Sequence, residues 1–222
     1  MENILDQLAL CVENGKINQT SPYPPAMKGQ YGVDELTIQA LEEGIVPGDI
    51  LANGLIVGMA KIGERFRENK VFVPQVLMSA KAMNEAMKHL KKYFIDGTVK
   101  RKGKFIIGTV QGDLHDIGKN LVSMIVEGNG FEVIDLGVDV PVTKYLNAIK
   151  EHPGAFVGMS ALLTTTMQNM EDINRTIKIE YPDTVTFIGG APLNNEFAQK
   201  IGADYYTNGP QELVDILNKL IA

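Results

Sequence analysis

The chain has 222 residues, 45% of them hydrophobic, with 21 Lys and Arg against 27 Asp and Glu and a formal net charge of −6 at pH 7. That length and apolar content suffice for one large or two modest domains, each with its own core, and exclude disorder over most of the chain. With mean hydropathy at −0.02, no apolar run approaching the roughly 18 residues a membrane span needs, and an acidic balance, both a membrane protein and a simple nucleic-acid binder are disfavoured.

The opening MENILDQLALCVENG carries acidic residues where a signal peptide wants a basic flank, and the single Cys11 cannot form an intrachain disulfide, so a cytoplasmic protein is expected. Three histidines leave few candidates for acid-base work or metal ligation. The first half reads as helical. Helices are expected at about 2–14 and 33–44, each followed by a glycine, Gly15 or Gly44, suited to a left-handed cap. Between them, KINQTSPYPPAMKGQYG holds Pro22, Pro24 and Pro25, which forbid a continuous helix; this 16–32 loop receives no role. Leu51, Leu55, Met59, Ile62 and Phe66, then Val76, Ala80, Met83, Met87 and Leu90, recur at helical spacing and predict helices over 48–67 and 74–94. Pro47 and Pro74 suit helix entries.

Charge marks a seam. Residues 1–94 hold 10 basic and 11 acidic side chains, 95–104 hold 4 and 1, and 105–222 hold 7 and 15. IDGTVKRKGK at 95–104 therefore reads as a linker and candidate hinge between a four-helix bundle at 1–94 and a second domain at 105–222. There the period changes. FIIGTV (105–110), EVIDLG (132–137), AFVGMS (155–160), TVTFIG (184–189) and ADYYT (203–207) are short β-rich runs, each followed by a helical stretch. Such alternation predicts a five-stranded parallel sheet with helices on both faces, Rossmann-like in the flavodoxin sense, which binds ligands beyond the carboxyl ends of its strands.

The loop after the first strand, Gln111-Gly112-Asp113-Leu114-His115-Asp116-Ile117-Gly118, puts a histidine on that surface. An imidazole there could ligate a metal, with Asp113, or failing it Asp116, accepting the other ring N–H; a solvated histidine beside two acids fits the local spacing equally well. Gly112 and Gly118 permit tight backbone geometry and close approach of a bulky ligand. The third strand ends in Ser160-Ala161-Leu162-Leu163-Thr164-Thr165-Thr166 and the fourth in Gly189-Gly190-Ala191. The hydroxyls could bind a polar ligand or cap a helix; the glycines could lie against a planar group or make a tight turn.

Taken together, D-x-H-x-x-G in GTVQGDLHDIGKNLV, then EVIDLGVDVP, S-x-L in VGMSALLTTTM and G-G in IGGAP resemble the cobalamin-binding domains of methionine synthase and of corrinoid methyl-carrier proteins, in order and spacing. VFVPQVLMSAKAM resembles the helical cap of those proteins, so all but residues 16–32 is covered. The resemblance implies that His115 displaces the cofactor's own benzimidazole and becomes the lower axial ligand of cobalt, base-off, with Asp113 as its partner and Thr166 completing a proton relay. A proton reaching His115 and Asp113 would then accompany reduction of the metal and leave with methylation. Gly112, Asp116, Ile117, Gly118, Ser160, Leu162, Thr164, Gly189, Gly190 and Ala191 would line the cofactor slot. Phe72, Leu77, Met78 and Met83 become candidates to cover the upper face, although a stripe at helical spacing is more often bundle core. His89 and His152 are expected to be solvent-exposed or to serve helix C-termini.

The function implied is a cytoplasmic methyl shuttle of one-carbon chemistry. It would carry methyl on cobalt from a substrate-specific methyltransferase, acting on a methoxylated aromatic, methanol, a methylamine or a betaine, to an acceptor methyltransferase using tetrahydrofolate or a thiol, with a reductive activase in attendance. Both segments are already assigned and no length remains for a barrel domain, which makes the chain one component of a methyltransferase system rather than a complete enzyme. The alternatives are the cobalamin-binding subunit of a radical mutase, which would resemble the C-terminal half only, a cobalamin-dependent sensor, which would want a basic recognition helix, and a receiver-like domain without cofactor. Neither nucleic acid nor membrane is expected as a partner.

Overall fold

Helix α1 (Ile4–Asn14) starts where the Asn3 side chain accepts the Leu5 N–H at 3.2 Å and stops where Gly15 turns left-handed at φ 70°, so both ends are closed by local chemistry. The computed structural model describes residues 3–222; the expected start of this helix at residue 2 lies outside them. The chain divides into two units, one reaching to Arg101 and taking in Glu127–Gly130, the other made of Lys102–Val126 and Phe131–Ala222.

The first unit is helical. After α1 come α2 (Val33–Glu42), a short α3 (Pro47–Asp49), a π-helical stretch Ile50–Leu55 continuing into α4 (Ile56–Arg67), and α5 (Val73–Ile95). Four helical segments are therefore present where the periodicity places them, the third widened by its π-turns. Leu8, Val12, Leu55, Met59, Ile62, Val76, Met83 and Leu90 are buried between them. Glycine sets the contact with α1: a Cβ added at Gly58 would lie 2.5 Å from the Ala9 carbonyl oxygen and 2.6 Å from the Val12 Cβ. Gly to Ala in a helix interior normally gains about 1 kcal/mol. Here the methyl must displace backbone, and overpacking of that kind costs about 1–3 kcal/mol. Gly58→Ala is expected to lower the denaturant midpoint; a midpoint at or above that of the parent would mean that α1 can move aside at no cost.

Residues 16–32 form an ordered loop. The Glu35 carboxylate accepts the Gln19 and Gly32 N–H groups, each at 2.9 Å, while the Lys16 and Ile17 carbonyls accept from Val33 and Asp34. Lys16 is buried and donates from Nζ to the Ser21 carbonyl at 3.0 Å. His89 departs from expectation: α5 runs on to Ile95, and His89 Nε2 lies 2.6 Å from Asp34 Oδ1, both half-buried, so it joins α5 to α2 and serves no helix C-terminus. Past α5, the Val99 N–H donates to the Tyr93 carbonyl at 2.8 Å and the Arg101 guanidinium covers the Phe94 ring at 4.5 Å, folding the segment back on the helix end.

The second unit alternates β1 (Lys104–Thr109), α6 (Ile117–Gly128), β2 (Glu132–Asp135), α7 (Val142–Glu151), β3 (Phe156–Ser160), α8 (Met167–Glu180), β4 (Thr186–Gly189), α9 (Asn195–Ile201), β5 (Tyr205–Tyr206) and α10 (Pro210–Leu220). All five strands are parallel, in the order β2-β1-β3-β4-β5. Ile106, Val157, Ile188, Tyr145 and Met170 belong to one buried cluster, and Phe105, Phe187 and Tyr205 pack ring on ring, with centroids 6.1 and 5.0 Å apart. His152 ends α7, its Nδ1 3.3 Å from Lys104 Nζ. This order reverses direction between β1 and β3, and a doubly wound sheet opens a crevice at such a switch point. Register then levels the rim: Thr109 pairs with Ser160 and Ser160 with Gly189, so the loops after β1, β3 and β4 start side by side. No helix among the described residues is long and apolar enough to cross a membrane.

Candidate functional site

At the switch point the loop after β1 meets the loop after β3. Asp113 is wholly buried, whereas the His115 side chain is 51% exposed. His115 Nδ1 lies 2.8 Å from Asp113 Oδ1, and the His115 N–H donates to the same oxygen at 3.1 Å. The other oxygen, Oδ2, accepts the Leu162 N–H at 2.8 Å, the Leu163 N–H at 3.2 Å and the Thr166 hydroxyl at 2.9 Å. Thr109, buried at the end of β1, donates its hydroxyl to the His115 carbonyl at 2.8 Å.

Burial by itself would push the Asp113 carboxyl up. The Leu162 N–H, the His115 ring and N–H and the Thr166 hydroxyl outweigh it and hold the group well below the usual carboxylate range. An ionised Asp113 requires a hydrogen on Nδ1 of neutral His115, which leaves the Nε2 lone pair free for a metal. Thr166 has a second acceptor, the Leu163 carbonyl at 2.8 Å. Its single hydrogen can turn to that carbonyl whenever Asp113 becomes a donor, so the triad can take up or yield a proton without orphaning a buried group.

The expected residues divide by position. Asp113, His115 and Thr166 are joined in one hydrogen-bonded chain. Leu162 contributes its backbone N–H as well as an exposed side chain. Gly112, Asp116, Ile117, Gly118, Thr164 and Ala191 are exposed on the rim, Ser160 and Gly189 half-buried beside it. A Cβ at Gly118 would meet nothing within 4 Å. At Gly190, with φ +142°, it would meet the Ala161 carbonyl oxygen at 1.8 Å, so that glycine answers to the neighbouring loop. In the helical unit Phe72 is 68% exposed, Leu77 exposed and Met78 half-buried, while Met83 is only 2% exposed and packs in the core.

Sequence reasoning passed over several partners. Lys119, buried, donates to Asp135 Oδ2 at 2.5 Å and to Asn120 Oδ1 at 2.8 Å, fastening the start of α6 to the end of β2. Asp139 and Asn169 hold the turn ahead of Asp113. Lys119 lies 16 positions from Asp135, Asp139 27 from Gly112 and Asn169 58 from Gln111, and the last two, like Thr109, bond to backbone, which carries no residue type to read.

The donor set can be tested against a metal-bearing macrocycle. Among the described residues no group of three or more His, Cys, Asp or Glu could hold a bare ion. One imidazole suits a metal whose other positions a macrocycle already fills. Around it, Leu114 (72% exposed), Ile117 (75%), Leu162 and Leu163 stand open to solvent, an apolar rim of the kind that marks a binding surface. The residues fit a corrinoid.

Residues 103–216 match the B12 binding domain family, and residues 30–91 match a further B12 binding domain family. Dimethylamine corrinoid protein 3 of Methanosarcina acetivorans is 38% identical over 84% of this chain and 90% of that protein. Trimethylamine corrinoid protein 1 of the same organism is 38% identical over 81% and 85%. Among solved structures, the methanol:cobalamin methyltransferase complex MtaBC from Methanosarcina barkeri superposes with a TM-score of 0.83 at 28% identity, covering 99% of this chain and 80% of that one. A half-exposed histidine bonded to a buried carboxylate, on a rim with exposed leucine and isoleucine side chains, thus sits in a chain that belongs to the B12-binding corrinoid protein family.

Proposed function

We propose that this protein is the methyl carrier of a cobalamin-dependent methyltransferase system, and that it binds cobalamin or a related corrinoid base-off with His115 Nε2 on the lower face of the cobalt. The observation that carries the reading is the His115–Asp113–Thr166 chain: a half-exposed imidazole whose Nδ1 is engaged by a fully buried carboxylate. When bound, the cobalt supplies a centre that accepts a methyl group from one partner and yields it to another. The protein's part is to orient the imidazole, to fix its hydrogen on Nδ1, and to let Asp113 take up or yield a proton while the Thr166 hydroxyl turns its hydrogen to or from the Leu163 carbonyl. The exposed leucine and isoleucine side chains around His115 would be covered by a bound corrinoid and would then keep water from the imidazole.

Relatives named for dimethylamine and trimethylamine, at the same 38% identity, support methylated amines as the first donors to test. The choice among donors would belong to the partner methyltransferase that binds them; a second methyltransferase would take the methyl onward, and a reductive activase would complete the set of partners. The family match at 30–91, ahead of the cofactor domain, favours the carrier over a small mutase subunit. Residues 95–104, between the helical segment and the cofactor domain in the sequence, would serve as its hinge. The test is reconstitution: protein loaded with reduced cobalamin should be methylated by a methylated amine only when a partner methyltransferase is added. Turnover of the amine by the purified chain alone would sink the carrier reading.

A further inference from the structure

The turn Gln111–Gly112–Asp113, which leads into the histidine, is gripped by side chains from two other elements. Asp139, in the loop after β2, accepts the Gly112 N–H on Oδ1 at 2.7 Å and donates its own N–H to the Asp113 carbonyl at 3.0 Å. Asn169, in the first turn of α8, donates from Nδ2 to the Gln111 carbonyl at 2.7 Å. The Asp113 N–H goes to the Val110 carbonyl at 3.1 Å. Peptide groups on both sides of Gly112 are therefore occupied.

Two backbone angles make this grip more than incidental. Gly112 lies at φ +82°, in a region open chiefly to glycine, and a glycine left unrestrained samples more conformations than any other residue. Asp139 itself is at φ 52°, one of two non-glycine residues with positive φ among those described, the other being Asn69. Glycine would occupy that position without strain but would bring no carboxylate. Such strain persists where the surroundings demand it and collects at functional sites. In this conformation both the N–H and the carboxylate of Asp139 reach the same turn. Asp113 can meet His115 Nδ1, the His115 N–H and the two leucine amides together only if the turn that precedes it is fixed.

We propose that Asp139, assisted by Asn169, is a positioning residue: by clamping Gly112 it sets the direction in which the Asp113–His115 pair presents Nε2 to the cofactor's cobalt. The inference rests on His115 being the lower axial ligand. A ligand loosened in direction loses metal affinity even when its chemistry is unchanged.

Asp139→Gly keeps the backbone conformation and removes the carboxylate, whereas Asp139→Asn keeps both the oxygen acceptor and tolerance of positive φ. In the cofactor-free protein, amide exchange at Gly112 should accelerate about tenfold or more in Asp139→Gly and stay near the parent rate in Asp139→Asn. In cobalamin-loaded protein reduced to the paramagnetic cobalt(II) state, the fraction showing hyperfine coupling to a histidine nitrogen should fall in Asp139→Gly, fall less in Asn169→Ala, and return in Asp139→Asn. Unchanged Gly112 exchange in Asp139→Gly overturns the clamp. Fast exchange with parental histidine coupling overturns its role at the cobalt, as does an Asp139→Asn protein no better than Asp139→Gly. A His115→Ala protein that keeps the histidine coupling would remove the axial reading itself, and this proposal with it; failure in Asp139→Gly alone leaves that reading standing.

Discussion

His115→Ala is expected to leave a folded protein that no longer holds its cofactor tightly. The side chain is 51% exposed and supports no core, so the loss of stability is confined to its one hydrogen bond to the Asp113 carboxylate, about 1.5–3 kcal/mol at most. Asp113 would still accept the N–H groups of residues 115, 162 and 163 and the Thr166 hydroxyl, so no buried charge is stranded. On the proposed reading, by contrast, a bound cobalt would lose the imidazole that this rim offers it. Removing even an outer partner of a metal ligand typically weakens binding about 10–100-fold, and loss of the ligand should cost at least as much. Cobalamin retained through gel filtration measures the first effect. The second is the hyperfine pattern of the cobalt(II) state in protein whose histidines carry heavy nitrogen, which should be isotope-sensitive in the parent and insensitive in the variant. Equal retention together with the same isotope sensitivity would show that His115 is not the ligand.

Asp113→Asn is expected to do the opposite, damaging the fold as well as the site. Each carboxylate oxygen faces donors: the ring and the N–H of His115 on Oδ1, two leucine amides and the Thr166 hydroxyl on Oδ2. The Thr166 hydroxyl could turn to accept from the new NH₂, but whichever way the amide lies that group meets backbone N–H, of His115 on one side or of Leu162 and Leu163 on the other, in a space closed to water. Burying donor against donor leaves several groups unsatisfied, at a cost of about 2–4 kcal/mol. Denaturant unfolding of the cofactor-free proteins would show it. The dependence on acid adds a second signature. Because the folded-state value of Asp113 is depressed, its ionised form favours folding. That contribution is complete above the ordinary aspartate value of about 3.9 and is lost as the pH falls through it toward the depressed one. The parent should therefore lose stability more steeply than Asp113→Asn on the acid side. Parallel curves would mean that Asp113 does not titrate with folding.

Much of the architecture was legible in the chain because its signals are local. Helical spacing from Leu51 to Phe66 and from Val76 to Leu90, strand runs such as FIIGTV, and caps at Gly15 and Gly44 depend on residues within a turn or two of one another. The pairing of Asp113 with His115 belongs to the same class: two positions apart in one loop, they meet through a contact that short-range geometry can make. Thr166 is 53 positions from Asp113 and entered through resemblance to known cobalamin domains, with no local cue.

His89 shows where local reasoning misleads. Its neighbours are lysines near a helix end, but its partner Asp34 is 55 positions away and is delivered only by the packing of α2 on α5.

The sequence by itself determined the two kinds of periodicity, the alternation that makes a parallel sheet, and the residue types of the D-x-H loop. Tertiary structure decided what holds that loop. The order β2-β1-β3-β4-β5 and the row Thr109, Ser160, Gly189 bring the ends of separate strands to one level, so that the leucine amides reach Asp113 and Asp139 reaches Gly112. A backbone N–H has no residue type to be read, and a glycine at positive φ gives no sign of which distant carboxylate restrains it. Contacts made by peptide groups across 27 to 50 positions arise from strand register, and strand register is a property of the folded sheet.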